Sequence, residues 1–153
     1  MRITRLLLRD LKVHRDLDLE LAPGLTVVRG PNEAGKSTLQ RALELALFRK
    51  VTAGGAEIDG LRSWGADADG RPWVSLDFVQ EDPDGTRLGT LEKDFRGAKG
   101  TARLVLDGEA VTDPVFARAL PSAAVPFIRF DSVPSRPAIG SDASNGPRSR
   151  ASW

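Results

Sequence analysis

The chain of 153 residues contains no cysteine, which excludes a disulfide framework and a thiolate metal site and suits a cytoplasmic protein. It also has no apolar run approaching the roughly 18 residues that a membrane-spanning helix needs, and its N-terminus lacks the basic, apolar, small-residue layout of a signal peptide. No membrane contact is expected. Charge of one sign is missing as well: 22 lysines and arginines face 21 aspartates and glutamates, so there is no bulk electrostatic footprint for nucleic acid. There is no internal repeat. What remains, 41% hydrophobic and 28% charged, is the composition of one globular domain with a real core.

Against that background one stretch stands out: Gly30-Pro31-Asn32-Glu33-Ala34-Gly35-Lys36-Ser37-Thr38 fits G-x-x-x-x-G-K-[ST] at every fixed position. A triphosphate carries several negative charges on closely spaced oxygens. Holding it takes a concave run of backbone N–H donors, and a glycine-containing loop can aim them inward. In this reading Gly30 and Gly35 give the loop its freedom, Lys36 sets an ammonium against the β- and γ-phosphates, Ser37 offers its hydroxyl to Mg²⁺, and Thr38 adds a donor to the α-phosphate. The flanks agree. Leu25 to Arg29 reads as a short buried strand, and Leu39, Ala42, Leu43, Ala46 and Leu47 follow helical spacing, so the loop joins a strand to a helix.

Elsewhere, residues 2–8 and 17–21 read as two strands joined by a polar turn, and Pro23-Gly24 turns the chain into the strand before the loop. Arg49-Lys50 supplies cations suited to the helix C-terminus, and Thr52 to Gly55 ends it. Residues 51–72 show no period, with Trp64 as the candidate anchor for this long connection. Val74 to Val79 alternates as a strand, Asp82 to Gly85 is a turn, and Thr86 to Phe95 returns antiparallel. Thr101 to Leu106 and Glu109 to Val111 form a further hairpin around Asp107-Gly108. Thr112-Asp113-Pro114 caps a short helix reaching about Leu120. The expected division is a domain over 1–131 and a disordered tail over 132–153, rich in Ser, Pro, Gly and Arg. Arg136, Arg148 and Arg150 make that tail locally basic, a feature compatible with a weak nucleic-acid contact.

Asp10-Leu11-Lys12-Val13-His14, the alternating strand after it, Pro-Gly-Leu, an apolar strand and G-P-N-E-A-G-K-S-T together resemble the N-terminal lobe of ABC-type ATPase heads of the SMC-like DNA-repair group, which includes RecF, RecN, SbcC and YhaN-like AAA-domain proteins. The likeness is good over about residues 1–50 and looser to about 120. It implies an α/β P-loop NTPase lobe, with a hairpin-rich β layer packed on the phosphate-loop helix. It also implies ATP and Mg²⁺ as ligands, Gly30 to Thr38 as their site, and Lys12 as a basic residue near the nucleotide. The competing reading of Lys12 is a solvated lysine at a strand end, and for His14 packing or exposure is set against catalysis. At the level of the whole protein the resemblance implies ATP hydrolysis, head-to-head homodimers on ATP binding, DNA repair or chromosome maintenance, and a nuclease as a further partner.

The later half of such a head is not evident, so the chain is expected to be incomplete. Leu104 to Asp107 mimics a Walker B strand, yet Gly108 follows and Asp-Gly between strands signals a hairpin. Thr52 to Gly55 only faintly resembles a signature loop. Phe127 to Asp131 is an apolar run ending in Asp, short on its own, and Gln80 falls within a strand pattern rather than in a Q-loop. The isolated lobe is expected to expose the apolar surface of Leu39, Leu43 and Leu47 and to self-associate. Two alternatives are a non-hydrolysing nucleotide-binding regulatory module and a small P-loop kinase. The acidic composition of 57–84 argues against the basic lid of a kinase.

Overall fold

The computed structural model describes residues 1–52, 56–66, 70–97, 99–111 and 128–132. In chain order its elements are β1 (Arg2–Leu11), β2 (His14–Glu20), β3 (Thr26–Gly30), α1 (Lys36–Phe48), the single turn α2 (Ala56–Asp59), β4 (Trp73–Asp82), β5 (Gly85–Asp94), β6 (Thr101–Leu106), β7 (Glu109–Ala110) and β8 (Ile128–Ser132). An antiparallel sheet of six strands runs β2-β1-β4-β5-β6-β7, and β3 pairs in parallel with β8. Among the described residues no helix is long and apolar enough to cross a membrane.

The leucines of β1 do not alternate. Ile3, Leu6, Leu8 and Leu11 are all buried, at steps of three, two and three where a regular strand repeats every two. Two irregularities absorb the odd steps. The register against β4 slips between Ile3 and Arg5, which is a bulge, and Asp10 takes the left-handed φ of 52°. The extra length carries β1 and β2 past the expected 2–8 and 17–21, so that only Lys12-Val13 separates Leu11 from its partner His14. On β4 and β5 the alternation is regular, with Val74, Leu76 and Phe78 facing the core beside Leu91. Phe78 lies opposite Gly89, and a Cβ on that glycine would sit 2.2 Å from the ring, so only glycine admits the aromatic there.

The helix touches strands of both sheets, β1, β4 and β5 of the larger and β3 of the smaller. That explains why Leu45 is fully buried beside the expected stripe of Leu39, Ala42, Leu43 and Ala46. The expected uncovered apolar surface is corrected accordingly: Leu39 and Leu43 are in the core and Leu47 packs at its edge. The reading of the strand before the loop as buried also fails, because Leu25 precedes β3 and is 59% exposed, and Val27 is 39% exposed. Among the described residues β3 has β8 as its one strand partner.

The helix ends at Phe48, with extended backbone at Arg49. Its C-terminal cation comes from neither Arg49 nor Lys50 but from β5. Buried Lys93 reaches across and donates to Arg49 O at 2.7 Å and Leu45 O at 3.4 Å, answering carbonyls that the helix end leaves without partners. Arg49 instead joins Glu57 of α2 and Glu44. The expected helix from Pro114 and residues 133–153 of the expected tail lie outside the described residues.

Burial pushes the Lys93 ammonium down to about 8 from 10.5. Between those values the unfolded chain binds more protons than the folded one, so stability rises with pH across that window, and the penalty is fully present below pH 8. The two carbonyl acceptors oppose the shift, which makes about 3 kcal/mol an upper bound on the gain. Urea unfolding at pH 7.5, 8.5 and 9.5 is expected to show rising stability in the wild type and a flatter profile in Lys93→Met; an equal slope in both would remove Lys93 as its source.

Candidate functional site

The loop Pro31–Gly35 leaves the carboxyl end of β3 and enters α1 directly, with Glu33 at φ 69° and Gly35 at φ 83°. Gly35 occupies the N-cap position and has no side chain with which to close the first turn, and that turn contains no acidic residue. The N–H groups at the start of α1 therefore keep their donor capacity and their positive end, the arrangement that receives an anion. Thr38 is buried, and its N–H donates to Gly35 O at 3.0 Å. The Lys36 ammonium arches over the loop, donating to Gly30 O at 2.9 Å and Pro31 O at 2.7 Å. Ser37 is exposed beside it.

Gly35 is fixed by more than its dihedral angles. A Cβ there would meet Val13 Cγ2 at 2.3 Å and His14 Nε2 at 2.4 Å, so the β1–β2 turn lies directly against the loop. His14 Nε2 is 3.3 Å from Gly35 O, a contact that requires the proton on Nε2 because a carbonyl only accepts. His14 thus packs, as the simpler of its two readings has it. Lys12 is not merely solvated. Its Nζ donates to Gly60 O at 2.6 Å and its N–H to Leu61 O at 2.8 Å, which ties the turn to the segment after α2.

Loop, turn and segment enclose an open cleft of about 1220 Å³, lined by Lys12, Asn32, Glu33, Gly35, Lys36, Ser37 and Thr38 among the residues expected there. Val13, Gln40, Arg41, Leu61 and Trp64 also line it. Nothing in the sequence pattern marked these five as site residues. Trp64 is not an anchor: it is 91% exposed, and the segment is held instead by buried Ile58 and Leu61, whose i, i+3 spacing was the available signal. Asp107 lies in the β6–β7 turn at φ 50°, accepting from Arg87 Nε and Leu88 N at 2.9 Å each. The hydrogen bond from Arg87 holds its carboxyl below the usual range. Gln80 bonds Asp82 within its strand, and neither it nor Asp107 lines the cleft. Phe127 to Asp131 gives way to β8, whose pairing sets Ser132 opposite Gly30.

The donors present fit a polyphosphate: uncapped helical N–H groups, an ammonium and two hydroxyls. They do not form a metal cage. Among the described residues no three His, Cys, Asp or Glu side chains lie together, so a divalent cation would need phosphate oxygens beside the Ser37 hydroxyl. Two acidic residues of 57–84 are held in ion pairs, Glu57 with Arg49 and with Arg41 of the cleft wall, and Asp59 with Arg71.

A family model described as an AAA domain matches residues 5–107. The DNA replication and repair protein RecF of Roseiflexus castenholzii is 47% identical over 55 residues, covering 35% of this chain and 14% of that protein. RecF of Chloroflexus aurantiacus is 49% identical over 43 residues, covering 28% and 11%. The chain thus covers about one seventh or less of the length of these curated relatives. Among solved structures, the recombination mediator protein RecF with ATPrS aligns with a TM-score of 0.51 at 14% identity, over 75% of this chain and 29% of that one. The fold is that of the RecF structure over the aligned part, which fits the N-terminal lobe of a P-loop ATPase head.

Substitution at Gly35 separates its two constraints. Gly35→Ala is expected to lower stability by about 2–4 kcal/mol, from left-handed strain of about 1–2 kcal/mol and overpacking of a similar size. In a Val13→Ala/His14→Ala background only the strain should remain. Thermal unfolding of the four proteins reads the difference; an undiminished cost in that background would mean that the turn does not press on the loop.

Proposed function

The chain belongs to the AAA domain family, and on that premise we propose that it binds ATP with Mg²⁺ through the loop Gly30, Pro31, Asn32, Glu33, Ala34, Gly35, Lys36, Ser37 and Thr38. The observation that carries the reading is the uncapped N-terminus of α1 behind a glycine loop whose own lysine ammonium arches over it. Loop N–H groups and the first turn of α1 receive the phosphate oxygens. Lys36 exchanges the carbonyls of Gly30 and Pro31 for the β- and γ-phosphates, a charge-assisted contact in place of two neutral acceptors. Thr38 donates to the α-phosphate, and Lys12 adds positive charge at the cleft wall. Ser37 would be the protein ligand of Mg²⁺, whose positive charge would offset the negative charge of the phosphates.

Hydrolysis belongs to the larger protein in this proposal. Glu33 is the one carboxylate lining the cleft among the described residues, and it sits in the loop itself, so an element to orient water has to come from outside this cleft wall. The name of the RecF relatives supports a role for the full protein in DNA replication or repair; ATP-dependent pairing of two heads, DNA as substrate and a nuclease as a further partner belong to the same proposal. A cytoplasmic location follows from that role.

Calorimetric titration with ATP and Mg²⁺ tests the site. Lys36→Ala is expected to weaken binding at least tenfold, since a charge-assisted phosphate contact contributes about 1.5–3 kcal/mol, while circular dichroism stays native. Unchanged affinity would take Lys36 out of the site. Phosphate release by the chain should not exceed that of Lys36→Ala; a clear excess would place a complete catalytic site within it.

A further inference from the structure

The cleft is larger than a triphosphate needs, since about 300–1,000 Å³ already holds a drug-sized ligand. Beyond the phosphate loop its wall includes Trp64, the most exposed large apolar side chain among the described residues. A single exposed apolar residue is ordinary on a protein surface. What sets this one apart is its mounting. Ser63-Trp64-Gly65-Ala66 forms a turn closed by Ala66 N–H to Ser63 O at 3.2 Å, and Gly65 at φ 79° supplies the positive dihedral that a type II turn requires at its third position.

That turn is fastened on both sides of its tip. Ser63 N–H donates to Asp10 O at 3.0 Å, Arg15 reaches Gly65 O at 2.8 Å, and Leu11 bridges Arg62. The same β1–β2 turn presses on Gly35, so Trp64 is carried on backbone joined through one rigid intermediary to the phosphate loop. The result is an indole free in its side chain and fixed in its backbone, facing the cleft whose other wall is built for phosphate.

We infer that Trp64 is a stacking platform for the base of the bound nucleotide, a selectivity element that distinguishes a nucleoside triphosphate from phosphate alone. The inference rests on the ATP-binding reading above. A planar base gains from an indole face whatever its hydrogen-bonding edge, so the platform favours purines by area and does not by itself separate adenine from guanine.

The test pairs two ligands, ATP and inorganic tripolyphosphate, each with Mg²⁺, against wild type, Trp64→Phe and Trp64→Ala. Binding is followed by calorimetry and by tryptophan emission, where the difference between wild type and Trp64→Phe isolates Trp64 from Trp73 and Trp153. ATP is expected to change Trp64 emission, and Trp64→Ala to weaken ATP on the order of tenfold while Trp64→Phe keeps most of the affinity. Tripolyphosphate should bind all three proteins alike without altering the emission of Trp64. Equal weakening of both ligands, or ATP affinity indifferent to Trp64→Ala, overturns the inference and leaves the phosphate site standing. Failure of both ligands to bind wild type overturns the phosphate site and this inference together. An oligothymidylate that quenches Trp64 when ATP does not would assign the indole to nucleic acid instead.

Discussion

A Cβ on Gly35 would sit 2.3 Å from Val13 and 2.4 Å from His14, so the loop and the β1–β2 turn meet with no atom to spare. Everything near the cleft follows from that contact. It fixes where α1 begins relative to the six-stranded sheet, because the turn is the end of β1 and β2 and the glycine is the cap of the helix. It also fixes the segment 60–65, which hangs from Asp10, Leu11 and Lys12 by backbone hydrogen bonds and a lysine. Among the described residues no buried side-chain polar atom lacks a partner, so the arrangement is not held at the expense of unsatisfied groups.

The helix itself is served differently at its two ends. At the N-terminus its donors keep their capacity and Lys36 folds back on the loop. At the C-terminus Lys93 crosses from the sheet to the last carbonyls. Both lysines bond backbone carbonyls, but one is half-exposed at a cleft and the other is sealed in the core. The first stands at an open cleft and the second inside the fold, which sets an accessible end of α1 against an enclosed one.

The loop, its flanking strand and helix, and each hairpin were legible in the sequence because each carries a local signal: fixed glycines, helical spacing, Asp-Gly between alternating residues. What escaped was non-local. The bulge after Ile3 and the left-handed Asp10 are invisible until β4 supplies the register, so β1 reads short. Lys93 shares the parity of Leu91 and Phe95, but what a buried ammonium would meet there depends on where a helix some 45 residues earlier ends. Exposure misled more than once in the same direction: Leu25 and Val27 have the composition of a buried strand yet are exposed, and Trp64, the largest apolar side chain in its stretch, does not bury. Apolar character fixes what a residue could do in a core, and topology decides whether there is a core to enter.

The pairing of β3 with β8 joins residues about 100 positions apart, with four of the six strands of the larger sheet between them; closing such a loop costs entropy that grows only as the logarithm of its length, yet nothing rewards the search until the ends meet. The β1–β2 hairpin and the β4–β5–β6–β7 meander join neighbours and can form quickly. The six-stranded sheet is itself closed by β1 pairing with β4 about 70 positions away, so the sheet and the strand that delivers the phosphate loop both wait on long-range closures. The candidate site stands where those two closures meet, and its geometry depends on both being complete.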